Sequence, residues 1–253
     1  MPADLSFWVL ATLAVLVVGF SKGGFAGGGA IAGVPVLSLV IDPLTAAAIM
    51  LPLLMFMDVI AVFAYRRKWS LSILKTVVPG AIIGIAFGTL TFSIFNADAI
   101  RLILGIIVVA FALNFWLNRE AAEARAPAPL SASKGTLFGS ISGFTSFVAH
   151  AGHPPLAVYL LPLKLDRTTY QATSVLFFFI VNWAKLPPYA ALGLLDSGNL
   201  MTSAVLAPLV PIGIFLGIWL HKRVTDQFFT RTLYSVLLLL GCKLAYDGAA
   251  GLF

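Results

Sequence analysis

The chain is poor in charge: Lys, Arg, Asp and Glu make up 10% of its 253 residues, against 60% hydrophobic residues. A soluble domain carries about 25% charged residues, so a water-solvated globule of this size is excluded. Cysteine is nearly absent. The single Cys242 lies inside an apolar run, which excludes an intrachain disulfide, a cysteine zinc site and a redox pair. The first residues, Met1-Pro2-Ala3-Asp4, lack the basic n-region of a signal peptide, so the first apolar segment is expected to be retained. The net charge of +6 does not indicate nucleic acid here; in so apolar a chain it reflects basic loops on one side of a bilayer.

What the sequence has in quantity is apolar runs, and they predict an all-α, polytopic helical membrane protein with no sizeable soluble domain. Six runs read as full spans: 44–65, 71–95, 99–117, 169–190, 200–220 and 232–247, the last one short. Two further segments, 5–41 and 135–165, are longer than one span and shorter than two, and each is interrupted in its middle. If both re-enter, 12 basic residues fall on one side, among them Arg66, Arg67, Lys68, Arg119, Arg125, Lys134, Lys164, Arg167, Lys222 and Arg223, leaving Arg101 on the other. If both cross once, the basic residues divide 7 to 6. Basic residues concentrate in cytoplasmic loops, so re-entrant segments are expected, with both termini outside.

The chain also repeats itself. Gly19-Phe20-Ser21 recurs as Gly143-Phe144-Thr145 at an offset of 124, and the same offset carries Asp42 onto Asp166, Thr45 onto Thr169 and Asp58 onto Asn182. At an offset of 129, Pro79, Gly84 and Gly88 land on Pro208, Gly213 and Gly217. The expected organisation is a first transmembrane repeat at 1–117, a polar cytoplasmic linker at 118–134 and a second repeat at 135–253. Three spans plus a re-entrant pair per half make the two repeats inverted, as in many secondary transporters.

Chemistry is expected at the two breaks. The first, Gly19 to Gly29, has six glycines in 11 residues around Ser21 and Lys22. Glycines at membrane depth that do not hold a helix leave N–H groups to face a ligand. Those N–H groups and the Lys22 ammonium share a sign, which predicts an anion. Close helix packing by the glycines, with Lys22 snorkelling to an interface, is the plain alternative. The candidate ligands are Ser21, Lys22, Gly23, Gly24, Gly27 and Gly28. The second break supplies Thr145, Ser146, His150 and His153, where Gly152 and Pro154-Pro155 make a helix doubtful. An imidazole there could donate to an anion or carry a proton, or simply bond to a backbone carbonyl. Two histidines are too few for a metal site, and no cofactor is expected; the Walker spacing is missing. Asp58 is an acid well inside a span, a position that marks proton relays or a structural pair with Lys22 or Lys185. Asn182 and Lys185 share a helical face just before Pro187-Pro188, where the helix is expected to break or kink. The small residues Gly80, Gly84, Gly88, Gly213 and Gly217 read as close helix packing.

The segment Gly-Phe-Ser-Lys-Gly-Gly-Phe-Ala-Gly-Gly-Gly followed by Val34-Pro35-Val36-Leu37, the stretch from Phe144 to Leu161, and the two-repeat plan resemble the TauE/SafE family of membrane proteins. The resemblance covers essentially the whole chain and implies a bacterial inner-membrane transporter, often assigned to export of sulfite or an organosulfonate such as sulfoacetate. Gly152-His153 departs from the glycine pair frequent in the second repeat of that family. The partners expected are a small anion and the lipid bilayer, with a dimer before any higher oligomer and no nucleic acid. An inside-negative potential favours an anion outside by about 2.3 kcal/mol per charge per 100 mV, which makes export the expected direction and Asp58 the residue for any proton coupling. The alternatives are a proton- or sodium-coupled importer of a sulfur oxyanion or small carboxylate, and, from other classes, a membrane scaffold or an intramembrane hydrolase built on Ser21 and a histidine.

Overall fold

The computed structural model describes residues 4–24, 31–92, 96–123, 128–221 and 226–252, and every regular element among them is helical. The first half contains α1 (Leu5–Gly24), α2 (Gly33–Leu37), α3 (Pro43–Ala64), α4 (Leu71–Phe92) and α5 (Ala97–Glu123). The second contains α6 (Ala132–Ala149), α7 (His153–Leu160) with a 3-10 turn at Leu161–Leu163, α8 (Arg167–Ala191), α9 (Ser197–Leu206), α10 (Leu209–His221) and α11 (Asp226–Leu252). Among the described residues, α1, α3, α4, α5 and α11 are each long and apolar enough to cross a bilayer, and α9 with α10 makes a sixth span bent by 45°. Their outer faces expose Leu13, Phe63, Phe87, Leu113, Phe215 and Leu239, a girdle that only lipid can cover. The protein is therefore a multi-pass membrane protein.

The repeated acids of the sequence turn out to be helix starts. Asp42 accepts hydrogen bonds from the backbone N–H groups of Leu44 and Thr45 at 3.0 and 2.9 Å, and Asp166 accepts from those of Thr168 and Thr169 at 3.1 and 3.0 Å. Each satisfies donors that an α-helix leaves orphaned, worth about 1 kcal/mol per cap. The duplication thus fixes the starts of α3 and α8.

Several expected boundaries move. α1 runs unbroken through Gly19 and Gly23 to Gly24, so the first glycines do not break the helix; at about 30 Å it is long enough to cross. α5 continues to Glu123 over six residues expected in the linker, because Arg-Glu-Ala-Ala-Glu favours helix. α8 passes through Pro187 and Pro188 without a break in its helical run. The run 200–220 does break. α4 stays continuous across Pro79, whereas its counterpart is interrupted at Pro208.

Packing follows the duplication. α1 packs along α10 as α6 packs along α4, and the counterparts α3 and α8, and α5 and α11, pack on each other. The α5–α11 pair is antiparallel: Gly105 abuts Ala245, Gly248 abuts Leu102, and Gly251 abuts Asp98. So is α3–α8, where Asn182 meets Asp58 while the Ser70 N–H, twelve residues on, reaches the Thr173 hydroxyl, nine residues back.

The α4–α6 contact is a glycine seam. A methyl group on Gly80, Gly84, Gly139 or Gly143 would collide with the carbonyl oxygen of Thr136, Ser140, Val77 or Ala81 respectively. Gly19 and Gly213 meet in the same way across α1 and α10, and a methyl on Gly23 would strike the Ile214 carbonyl. This explains why α1 survives its glycines: the missing side chains let a second backbone approach, and packing replaces the lost helix propensity.

Candidate functional site

Lys22 of the first break and Ser146, His150 and His153 of the second line one small cavity of about 30 Å³, room for roughly two water-sized groups. Lys22 closes the last turn of α1, where the helix carbonyls favour a cation. Leu54 and Asp58 reach the cavity from α3, Ser146 and His150 from the end of α6, and His153 from the start of α7. The longest wall is α8, with Gln171, Ser174, Val175, Phe178 and Asn182. α8 is 25 residues long yet falls outside the apolar spans, because this wall and Lys185 make it polar.

Asp58 holds the centre. Its carboxylate pairs with the Lys22 ammonium through one oxygen and accepts the Asn182 side-chain amide through the other, with only 1% of the residue exposed. Removing charge from water costs several kcal/mol per ion, and a pair offsets this only with added hydrogen bonds; Asn182 supplies one.

A second cluster lies behind Ser146. Lys185 is fully buried and donates to the Ser146 carbonyl at 3.0 Å, the Ser146 hydroxyl at 3.1 Å and His150 Nδ1 at 2.6 Å. An ammonium only donates, so Nδ1 accepts and the imidazole carries its proton on Nε2, which bonds the Ala47 carbonyl at 2.9 Å. His150 also takes the left-handed conformation, φ 52°, that ends α6. Such a conformation costs about 1–2 kcal/mol away from glycine, and the two ring bonds hold it there. Both ring nitrogens are committed to protein partners, so His150 shapes the wall of the cavity, and the expectation that it donates to an anion does not hold in this geometry. Among the described residues Lys185 has no carboxylate within ion-pair distance, whereas Lys22 and Asp58 form such a pair.

The structure separates the other expected residues from the cavity. Ser21 is buried in α1 beside Lys22 but off the lining. Thr145 turns back along α6 to the Ile141 carbonyl at 2.9 Å. Gly23 packs on α10, and Gly23 and Gly24 lie inside α1, where their N–H groups belong to the helix instead of facing a ligand. Gly27 and Gly28 lie outside the described residues. As the sequence suggested, His150 and His153 do not share a helix face: α6 ends at Ala149 and α7 starts at His153. The His153 ring lies 6.2 Å from that of Phe178 and 6.4 Å from that of Tyr170. Gln171, Ser174 and Phe178 escaped the sequence reading, although a signal was present: with Asn182 they fall at i, i+3, i+7 and i+11, one stripe of a helix. Among the described residues no group of three or more His, Cys, Asp or Glu side chains is placed to hold a metal.

No curated protein and no solved structure matches the chain. The family model described as "Sulfite exporter TauE/SafE" matches residues 11–244, nearly the whole length. With this match over a helical membrane architecture, this chain belongs to the TauE/SafE family of membrane transporters.

Proposed function

We propose that the protein exports a small sulfur oxyanion, sulfite before larger organosulfonates, through the cavity between α1, α3, α6, α7 and α8. The observation that carries this reading is the arrangement of cationic side chains: Lys22, paired with Asp58, on the wall, and Lys185, without a carboxylate partner among the described residues, behind Ser146. A buried ammonium without a counter-ion is costly, and an anion in the cavity supplies one. The small volume favours a compact oxyanion over an extended molecule such as sulfoacetate.

In this reading the two halves are inverted repeats. The antiparallel α3–α8 and α5–α11 pairs support it, because an axis in the membrane plane turns a helix into an antiparallel copy. Rocking of α1 with α10 against α4 with α6 opens the cavity to either side, and the glycine seams keep each pair together as one body. Protonation of Asp58 releases Lys22 to the anion, so a proton and an anion bind cooperatively. Export needs no coupling ion at an inside-negative potential.

The test is the thermal stability of purified protein with sulfite, thiosulfate, taurine, sulfoacetate, sulfate, acetate or lactate. A ligand at 100 times its Kd stabilises by about 2.7 kcal/mol. A shift with sulfite that disappears in Lys185→Met is expected. A panel without any shift would move the protein towards a scaffold role.

A further inference from the structure

Two polar side chains on the cavity wall hold atoms with no hydrogen-bond partner among the described residues. Gln171, 7% exposed, and Ser174, 3% exposed, stand one turn apart on α8 and both line the cavity; Gln171 Oε1 and Ser174 Oγ are the buried atoms in question. Native proteins satisfy nearly all buried polar atoms, and an exception calls for a specific reason. Other polar groups around the cavity have theirs: Lys22 and Asn182 on Asp58, Ser146 on Lys185, His150 on Lys185 and Ala47.

The duplication sharpens the point. At the 124-residue offset that matches Asp58 with Asn182, Gln171 corresponds to Ala47, Ser174 to Met50 and Phe178 to Leu54. The first half fills these positions with apolar side chains. Packing therefore does not require polar atoms there, and the second half carries them into a cavity.

We infer that Gln171 and Ser174 are direct hydrogen-bonding ligands of the transported anion. They deepen the export reading, on which this inference rests, by adding neutral groups that select the anion by the placement of its oxygens. The amide can turn either its N–H₂ or its oxygen to the ligand, and the hydroxyl can donate or accept. Leu54, Val175 and Phe178 line the same space with apolar surface. The bound species therefore presents clustered oxygens to Gln171 and Ser174 and a less polar face to the apolar lining of Leu54, Val175 and Phe178, as a pyramidal or methyl-capped sulfur oxyanion does and tetrahedral sulfate does not.

The experiment measures stability without ligand, and affinity for sulfite, methanesulfonate and sulfate, in purified full-length wild type, Gln171→Leu, Ser174→Ala and Gln171→Glu. Removal of an orphaned polar atom leaves the ligand-free protein as stable as wild type or more so. Affinity for sulfite or methanesulfonate falls by about tenfold or more in Gln171→Leu and Ser174→Ala, and the response is lost in Gln171→Glu, where a carboxylate faces the anion. Wild-type affinity in both neutral variants overturns the inference alone, as does a drop in their ligand-free stability, which would mean a structural partner. No response of wild type to any of the anions overturns the export reading and this inference with it.

Discussion

Asn182 donates its side-chain amide to Asp58, the residue that occupies its own position in the first repeat. The two halves meet at equivalent points on α3 and α8, and there the duplication has been broken by one functional group. Two aspartates would place like charges in contact. One aspartate and one asparagine leave a single carboxylate, which Lys22 neutralises.

This arrangement predicts a non-additive mutational cycle. Asp58→Asn leaves Lys22 as an unpaired buried cation and Lys22→Met leaves Asp58 as an unpaired anion, each costing about 3–5 kcal/mol. The double variant removes both charges and recovers most of that loss. Thermal midpoints of the four proteins in one detergent measure the coupling. Additive losses would show that the pair contributes nothing as a pair.

Lys185 and His150 make a second prediction. His150→Ala removes the acceptor that the ammonium uses at 2.6 Å and the donor to Ala47. A hydrogen bond to a charged group is worth about 1.5–3 kcal/mol, and the left-handed turn at residue 150 loses its anchors. Stability is expected to fall by at least that amount. In His150→Ala/Lys185→Met the loss is smaller than the sum of the single losses, because no buried ammonium is left under-bonded. A His150→Ala protein with a wild-type midpoint would refute the tether.

The glycine seam separates two reasons for a glycine. At Gly84 the backbone is helical, but a methyl group meets the Ser140 carbonyl. Gly84→Ala must push α4 off α6, with an overpacking cost of about 1–3 kcal/mol. At Gly193, with φ 71°, the space around the position is open and only the conformation resists a side chain, at about 1–2 kcal/mol. Asparagine tolerates that conformation, so Gly193→Asn is expected to be nearly neutral while Gly84→Asn is worse than Gly84→Ala. Denaturation midpoints of the three variants distinguish the cases. Similar behaviour at the two sites would mean that α4 and α6 are not in backbone contact.

Much of this was legible because the duplication aligned residues that share a job. The offset picked out Asp42 and Asp166, which cap α3 and α8, and Asp58 with Asn182, which touch. The glycines of the first break were harder to read. In isolation they argue against a helix, and α1 exists because Gly213 and Ile214 of α10 pack where side chains would be, a contact made some 190 residues away along the chain. The break at Pro208 was not legible from proline content, because α4 stays continuous across Pro79 and α8 across Pro187 and Pro188. Gln171 and Ser174 were not legible in the duplication, because their counterparts, Ala47 and Met50, are apolar and the offset does not mark them.

The antiparallel contact of α3 and α8 carries a topological consequence. The Arg67 loop follows α3 and the Asp196 loop follows α8, so the two lie at opposite ends of the pair. Two contacts agree. Ser70, just after α3, bonds Thr173 near the start of α8, and Ser203 of α9 bonds the Ile49 carbonyl near the start of α3, at 2.8 Å. Single cysteines at positions 67 and 198 in a Cys242→Ala background are therefore expected to react differently with an impermeant thiol reagent in intact cells. By the basic-residue rule the Arg66-Arg67-Lys68 loop is expected in the cytoplasm, so position 198 is expected to label, and position 67 to label only after the membrane is opened. Labelling of both positions in intact cells would put the ends of α3 and α8 on the same side and end the inverted-repeat reading. Labelling at 67 alone would keep the inversion but reverse the orientation, turning the basic loop outward against the charge rule.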